Sequence, residues 1–388
     1  MCTTIGDALE DLVRRRGKPP ISKVHRLDTL PQLLVRQEKQ AFAGWDLTHA
    51  SPFTKRLEFR HIKSVLLTFQ VPTVSESPIS AQLYVRSGPI GRNKCKGDEM
   101  DGAYDDRDGK IWMDGKLVEW REANVHLLTH GLHYASSVFE GERCYNGRIF
   151  KGEEHSARLR KSAEYLDFEI PWTVEEIEKA KYDMLAANGW TDAYVRAVAW
   201  RGAGKDMGVS ARRNPVRLAI AGWEWGNYYG DAKFKGAKLD IAKWKRPSPE
   251  TIPVHAKAAG LYMICTMSKH EAETKGCSDA LFMDYRGYVA EATGANIFFV
   301  KDGEVHTPDP DCFLNGITRR TVIDMLKDRQ IKVHERHIMP EELESFEQCW
   351  LTGTAAEVTP VGQIGDYNFE VGALAKDMVE GYEKLVRA

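Results

Sequence analysis

Beyond Met100, apolar and polar residues alternate on both sides of three two-residue turn signals. Each signal pairs Asp or Asn with Gly, and the three pairs are Asp114-Gly115, Asn146-Gly147 and Asp302-Gly303. A type I′ turn needs positive φ at both central residues, a conformation that these residue types adopt most easily. The pattern therefore predicts three β-hairpins, within IWMDGKLVEW, RCYNGRIFK and FFVKDGEVHTP.

Two helices are predicted between and after the hairpins. Thr173 and Glu176 have the spacing of a capping box, and Asn188-Gly189 is a suitable helix stop. An apolar stripe at helical spacing lies between them, formed by Ile177, Met184 and Leu185. A second helix begins near Thr318, with Val322, Ile323 and Leu326 on one face. Strand pairs mixed with helices indicate an α+β (mixed α/β) architecture.

Residues 1–99 differ in character from the rest of the chain. They contain repeated prolines, show no sustained helical or strand period, and carry a net charge of +6, whereas the whole chain has −2. We expect them to be a disordered or non-native N-terminal extension, with Met100 as the natural first residue. The remainder is predicted to form a small α/β domain over 100–226 and a larger domain over 232–388, joined near Trp225–Gly230.

Composition and charge exclude several classes of protein. A net charge of −2 gives no reason to expect nucleic-acid binding, and no apolar run approaches a membrane span. The N-terminus lacks the apolar region of a signal peptide. The 7 cysteines form no C-x-x-C pair, so neither a zinc site nor a disulfide framework is predicted. A cytoplasmic protein with reduced thiols is the simplest interpretation.

Two motifs that resemble binding sites have simpler explanations. His126, His130 and His133 would share one face of a helix, but their segment is mostly apolar and offers no carboxylate ligand. Packed or hydrogen-bonded histidines are therefore favoured, and no metal is predicted. The stretch Gly202–Lys205 lacks the spacing of a phosphate-binding loop.

Lys257 is surrounded by small residues. It lies in IPVHAKAAGLYM, directly between Ala256 and Ala258. Small neighbours leave room for a bulky ring, and a buried lysine is one whose pKa can fall far enough for it to act as a nucleophile. Composition alone leaves an ordinary surface lysine equally possible.

Longer motifs supply a resemblance to a known family. The segments IPVHAKAAGLY, GYVAEATGANIFFVKDG, FLNGITRRTVIDML and WLTGTAAEVTPVG occur in this order and resemble the signatures of fold-type IV enzymes, which use pyridoxal 5'-phosphate (PLP). HYASSVFEGERCY, EEHSARL and DAYVRAVAW narrow the resemblance to the branched-chain amino-acid aminotransferases. It covers about residues 100–388 and implies a small α/β domain plus a larger domain with a β-barrel-like core.

The resemblance implies a set of cofactor-binding residues. Lys257 matches the lysine that forms a Schiff base with PLP, and Glu291 matches the carboxylate that pairs with the pyridine nitrogen. Tyr262 matches the tyrosine that bonds the phenolic oxygen. The phosphate is assigned to Arg158, Ile317, Thr318 and Thr354. Leu261 departs from the family pattern, since many relatives have Asn there.

Substrate-binding residues follow from the same resemblance. Tyr194 and Arg196 match residues near the substrate carboxylate, and the Ala355 N–H lies beside Thr354. The apolar pocket is assigned to Phe139, Gly141, Trp225 and Tyr228. Arg143 is the candidate for helping to bind a second carboxylate. Tyr134 and Val209 match residues that the partner subunit contributes, which implies a homodimer or a higher homo-oligomer.

The implied reaction is transamination of L-leucine, L-isoleucine and L-valine with 2-oxoglutarate, giving branched 2-oxo acids and L-glutamate. Three alternatives stay open at this point. A D-amino-acid or (R)-amine aminotransferase and an aminodeoxychorismate-lyase-like enzyme would share the PLP residues. A non-catalytic binding protein of the same fold would be expected to lack Lys257 or Glu291.

Overall fold

The computed structural model describes residues 103–225 and 234–388, together with two short antiparallel strands, β1 Lys55–Glu58 and β2 Thr68–Val71. The chain divides into two compact units, Met1–Met100 and Asp101–Ala388. Apart from β1 and β2, the predicted extension over 1–99 lies outside the described residues. Of the predicted junction, only Trp225 is described.

The first sheet has seven strands, and every pairing in it is antiparallel. Its strands are β3 Lys110–Met113, β4 Lys116–Glu119, β5 Ser137–Phe139, β6 Glu142–Tyr145, β7 Arg148–Ile149, β8 Ala193–Arg201 and β9 Val216–Glu224. Their order is β4-β3-β9-β8-β6-β7, and β5 pairs with β8. Helices α1 His130–Tyr134, α2 Gly152–Tyr165 and α3 Val174–Asn188 accompany it.

The second sheet has nine strands and is curled and mixed. Its strands are β10 Ala237–Ile241, β11 Asp279–Met283, β12 Val289–Ala292, β13 Asn296–Lys301, β14 Glu304–Pro308, β15 Val333–Arg336, β16 Gln348–Gly353, β17 Glu357–Ile364 and β18 Tyr367–Asn368. Their order is β12-β11-β10-β17-β16-β13-β14-β15, with β18 on β17. Helices α4 Met263–Thr274, α5 Ile317–Asp328 and α6 Ala373–Val386 belong to this part. Across both parts, 3₁₀ turns span Trp120–Glu122, Ala259–Tyr262 and Pro340–Ser345. The predicted mixture of helices and sheets is confirmed.

The local sequence signals are confirmed. In all three turns both residues have positive φ, for example 50° at Asp114 and 94° at Gly115, and each turn joins paired antiparallel strands. Thr173 and Glu176 form the predicted capping box, and α3 ends before Gly189, whose φ is 70°. Glycine reaches this conformation without a Cβ penalty, which explains the position of the stop.

Strand β13 shows how the second sheet forms its core. All of its first five side chains are buried, because apolar groups cover both faces of the sheet. Phe298 packs with Trp350 in a cluster that includes α5 and α6, whereas Phe299 packs with Phe346 in a separate cluster. Alternate residues of a strand point to opposite faces, so one short apolar run supplies both clusters.

The histidines at 126, 130 and 133 are held by hydrogen bonds, as predicted. Helix α1 starts only at His130, so His126 is not on its face. His130 is buried between Ser136 Oγ and the Gly208 carbonyl, at 2.7 and 3.1 Å. Among the described residues, no helix is both long enough and apolar enough to cross a membrane.

Candidate active site

One cavity brings together all seven residues that were predicted to bind the cofactor. They come from five separate segments: Arg158 of α2, Lys257 and Tyr262, Glu291 of β12, Ile317 and Thr318 of α5, and Thr354. Side chains so far apart in sequence meet here only because the two sheets and their helices fold together.

The lysine segment is anchored to the first sheet and its helix α2. The Lys257 backbone N–H donates to Ser162 Oγ at 3.0 Å, and its carbonyl accepts from the Phe139 N–H at 3.0 Å. The side chain extends into the cavity, where Nζ donates to Tyr262 Oη at 2.8 Å. These two hydrogen bonds therefore fix the Lys257 backbone and leave the amine at the end of its side chain able to react.

Glu291 lies deep in the cavity and is 9% exposed. Its Oε1 is 3.3 Å from Arg246 Nε, and its Oε2 accepts a hydrogen bond from Asn296 Nδ2 at 3.1 Å. Burial raises the pKa of Glu291 to about 7, against the lowering effect of the Arg246 and Lys257 charges. Such a carboxylate is well suited to pairing with a cationic ring nitrogen.

Helix α5 points its N-terminus at the cavity. Its N-cap, Gly316, provides no capping side chain, and both Ile317 and Thr318 line the cavity. The first N–H groups of a helix lack partners within the helix and attract anions. Thr354 lies on the same lining, and so does Thr352, whose buried Oγ1 has no hydrogen-bond partner among the described residues. This end of the cavity suits a phosphate.

Arg158 approaches the cavity from α2 with its guanidinium already oriented. Nε and Nη2 donate to the two oxygens of Glu140, at 2.7 and 2.8 Å. Glu140 is fully buried and also bonds His155 Nδ1 at 2.7 Å. Burial alone would raise the pKa of Glu140, but Arg158 and His155 hold that pKa well below its usual range. The carboxylate is therefore a permanent anion that fixes Arg158.

Aromatic rings connect the lysine to the residues predicted for the substrate. The Phe139 ring lies 4.7 Å from that of Tyr262 and under the Arg196 guanidinium at 4.8 Å. Arg196 Nη2 donates to Tyr194 Oη at 3.0 Å, and the Tyr194 ring lies 5.3 Å from Trp225. The structure thus brings these residues together as an apolar wall with one cation.

Gly141 is required by the position of Tyr194. A Cβ at residue 141 would lie 2.0 Å from Tyr194 Oη, which is far inside van der Waals contact. The glycine was predicted to leave room in the pocket. In the structure, the room that it leaves is occupied by the tyrosine hydroxyl.

Arg143 is already paired in this structure. Its Nη1 lies 3.5 Å from Glu357 Oε1, which also accepts a hydrogen bond from Tyr145 Oη at 2.7 Å. Arg143 Nη2 reaches the Trp225 carbonyl at 3.5 Å. The buried Nε has no hydrogen-bond partner among the described residues. The guanidinium therefore still has the Nε–H available for a ligand.

None of the predicted substrate-binding residues that the structure describes is on the lining of this cavity itself. Tyr134 and Val209 are surface residues, 43% and 84% exposed, and Tyr134 Oη donates to the Met207 carbonyl at 3.2 Å. Ala355 follows Thr354 and is half-buried. Tyr228 lies outside the described residues.

The sequence of this chain matches one protein family over most of the region that forms the two sheets. The profile of the family described as amino-transferase class IV matches residues 137–364, more than half of the chain. The chain belongs to the amino-transferase class IV family. The predicted family resemblance is confirmed, and the chain is an enzyme of the transaminase type.

Similar proteins carry more specific names. A probable branched-chain-amino-acid aminotransferase of Rickettsia conorii is 42% identical over 281 residues, which are 71% of this chain and 96% of that protein. The branched-chain-amino-acid aminotransferase of Pseudomonas aeruginosa is 38% identical, covering 67% of this chain and 86% of that one. A solved branched-chain amino acid aminotransferase, complexed with N-(5'-phosphopyridoxyl)-L-glutamate, has a TM-score of 0.69 at 38% identity, over 72% of this chain and 95% of that chain. The solved enzyme from Thermoproteus uzoniensis, with norvaline, has a TM-score of 0.69 at 34% identity, over 72% of this chain and 95% of that chain.

Sequence reasoning missed four residues of this class IV aminotransferase that hold the predicted ones in place. They are Glu140, Arg246, Asn296 and Glu357. Glu140, Asn296 and Glu357 lie inside the quoted motifs, within VFEG, ATGAN and TAAEV, so the motifs contained the signal. Arg246 lies before the lysine motif, and only the folded structure shows its contacts.

Proposed function

We propose that this enzyme transaminates branched-chain L-amino acids, using PLP bound at Lys257 and 2-oxoglutarate as amino acceptor. The observation that supports this most strongly is the position of the Lys257 amine, hydrogen-bonded to Tyr262 in the same cavity as the buried Glu291. The names of its relatives and the phosphopyridoxyl derivative bound in the solved relative point the same way. The products would be a branched 2-oxo acid and L-glutamate.

The residues present fit the cofactor. One buried polar atom on the cavity lining, Thr352 Oγ1, has no hydrogen-bond partner among the described residues and is available to a ligand. Glu291 would pair with the ring nitrogen and Tyr262 with the phenolic oxygen. The start of α5, Thr354 and Arg158 would hold the phosphate. When bound, PLP supplies an aldehyde that captures amines and a ring that accepts electrons from the substrate Cα.

The chain's own groups would then handle the proton and the substrate. Lys257 Nζ removes the proton from the substrate Cα and later returns a proton, as general base and then general acid. Glu291, as an anion, would keep the ring nitrogen protonated, which allows the ring to accept electrons. Tyr194 and Arg196 would lie near the substrate carboxylate. Phe139 and Trp225 would receive the branched side chain.

The second carboxylate of 2-oxoglutarate requires a cation in an otherwise apolar pocket. We retain Arg143 for this role, since its buried Nε is free among the described residues. Glu357 shares the charge of this guanidinium. Replacement of Arg143 by Met should therefore raise the KM for 2-oxoglutarate more than the KM for L-leucine, and an equal effect on both would contradict the assignment.

Visible absorption distinguishes the proposed function from its alternatives. The purified protein with added PLP should show a band of bound cofactor that changes when L-leucine is added and stays unchanged with D-alanine. A response to D-alanine alone would indicate a D-amino-acid enzyme, and absence of a band would favour a binding protein. The Lys257→Ala variant is the matched control, since it should lose the band and essentially all turnover.

We also propose that two copies of the chain assemble, with Tyr134 and Val209 reaching the partner's site. Tyr134 Oη contacts the carbonyl of Met207, two residues before Val209, and Leu127 and Leu132, which precede Tyr134, are 75% and 62% exposed. Exposed apolar patches commonly mark interfaces. The Val209→Asp variant should shift the sedimentation behaviour toward the monomer and reduce activity, and an unchanged dimer would contradict this.

The first 99 residues and the cellular location complete the proposal. A chain that begins at Met100 should fold and retain activity, and loss of either would refute the view that residues 1–99 are an extension.

A cytoplasmic location is supported by the five described free thiols, which reducing compartments maintain. Cell fractionation tests the location.

A further inference from the structure

Glu291 is contacted at both carboxylate oxygens by neighbouring side chains. Arg246 Nε lies 3.3 Å from Oε1, and Asn296 Nδ2 donates to Oε2 at 3.1 Å. We propose that Arg246 and Asn296 are positioning residues, with Arg246 keeping Glu291 ionised and Asn296 fixing its orientation for the cofactor ring. This inference rests on the proposed function, because it assumes that PLP binds in this cavity.

The environment of Arg246 supports an electrostatic role. Arg246 is only 4% exposed, and burying its charge is costly unless a buried anion compensates. Among the described residues, its side chain meets only two partners: the Glu291 carboxylate and the Cys265 thiol, whose sulfur is 3.6 Å from Nη1. A thiol is a weak acceptor. The charge of Arg246 is therefore available chiefly to Glu291.

The other charges around Glu291 cannot replace Arg246. Lys257 and Arg246 lower the pKa of Glu291, whereas burial and Asp279 raise it. Cys265 is neutral near pH 7, since burial raises the pKa of its thiol to about 12. Lys257 has to change its protonation during turnover, because its amine is the proposed proton carrier. Arg246 is the cation of this group that stays charged at every step.

Asn296 connects Glu291 to the anion-binding end of the cavity. Its Nδ2 also donates to the Leu314 carbonyl at 3.0 Å, and its Oδ1 accepts from the Gly316 N–H at 3.1 Å. Gly316 is the N-cap of α5. A Cβ at residue 316 would lie 2.3 Å from Asn296 Oδ1, so glycine there permits the contact. One buried amide thus links the carboxylate to the helix start.

The test measures PLP affinity of the cofactor-free full chain as a function of pH, by absorbance titration. Loss of an opposite charge raises a carboxyl pKa by about one to three units. Arg246→Met should therefore bind PLP roughly tenfold more weakly near pH 7, and the deficit should shrink as the pH rises, because Glu291 ionises later. Arg246→Lys should restore most of the affinity and the wild-type pH dependence.

Asn296→Ala should behave differently from Arg246→Met, since it removes orientation rather than charge. We expect weaker PLP binding over the whole pH range, with a smaller displacement along the pH axis than in Arg246→Met, because only a neutral hydrogen-bond donor is lost. Arg329→Met is the matched control, because this arginine pairs with Asp377 outside the cavity, and its PLP binding should equal that of the wild type.

Two results would overturn the inference. One is an Arg246→Met variant that melts like the wild type and binds PLP with unchanged affinity and pH dependence. The other is an Arg246→Lys variant that folds and keeps the positive charge, but whose pH dependence of PLP binding is displaced from that of the wild type by about one unit or more. This comparison is made with the wild type, so it decides the question even if Arg246→Met fails to fold. Failure of the wild-type protein to bind PLP at all would refute the proposed function instead, so the two failures are distinguishable.

Discussion

Arg158 lies against Glu140 through two parallel hydrogen bonds of 2.7 and 2.8 Å, and Glu140 is fully buried. A bidentate pair of this kind fixes the plane of the guanidinium as well as its position. The arginine that is proposed to meet the phosphate is therefore held by a residue that never contacts the ligand. The position of Arg158 at the proposed phosphate-binding end of the site therefore depends on Glu140.

The Glu140→Gln variant should weaken binding of PLP about tenfold while leaving binding of pyridoxal, which lacks the phosphate, nearly unchanged. The amide can accept only at its oxygen, so one of the two Arg158 bonds is lost and the guanidinium is no longer fixed. Titration of the cofactor-free variant with each compound measures this. An equal loss for pyridoxal would mean that Glu140 supports the fold rather than the phosphate arginine.

The Gly141→Ala variant should retain PLP and lose activity. Its Cβ would displace the Tyr194 hydroxyl, which lies 2.0 Å from the added atom. A displacement of about 1 Å can cost on the order of a hundredfold in rate. We expect a loss of this size in kcat/KM for L-leucine, with an unchanged visible band as the control. Wild-type kinetics would show that Tyr194 is not needed where the structure places it.

Relative to the wild type, the cofactor-free Glu291→Gln variant should gain stability as the pH rises from about 5 to about 8. The pKa of Glu291 is about 7 in the folded chain and near the ordinary 4.5 when unfolded. The folded state therefore binds the proton more tightly, and its stability falls as the pH rises from about 4.5 to 7. Glutamine removes this cost, which is on the order of 3 kcal/mol.

Melting temperatures of the cofactor-free wild type and of Glu291→Gln decide this point. The melting temperature of the variant minus that of the wild type should be larger near pH 8 than near pH 5. PLP binding should be weaker in the variant at both values. A melting difference that does not depend on pH would show that Glu291 is not buried with a raised pKa.

Lys181 is predicted to be a stability determinant away from the cavity. Its side chain is fully buried, and its Nζ bonds Glu142 and Glu178 at 2.6 Å each and Ser156 at 2.7 Å. Lys181→Met would leave Glu142 buried without its cation, which costs about 3–5 kcal/mol. Urea unfolding should show this loss, and Lys181→Met combined with Glu142→Leu should recover much of it. Full stability of the single variant would contradict the assignment.

Sequence alone could predict the elements whose physics is local. Asp114-Gly115 needs no distant contact to adopt positive φ at both residues, and the turn then sets the register of its strands. The Thr173–Glu176 capping box depends on two side chains in one helical turn. The cofactor-binding residues could also be predicted from the sequence, because each long motif contains the side chain that it assigns to the cofactor.

What only the tertiary structure decided is which groups hold those side chains. Arg246 and Glu291 are 45 positions apart, and strands β6 and β7 lie between Glu140 and Arg158 in the chain. A buried charge is stable only beside its partner, and that partner is selected by packing in three dimensions, where no sequence period applies. The same limit applies to Arg143. The sequence motif predicted that Arg143 helps to bind a second carboxylate, but only the fold shows that Glu357 and Tyr145 lie around its charge.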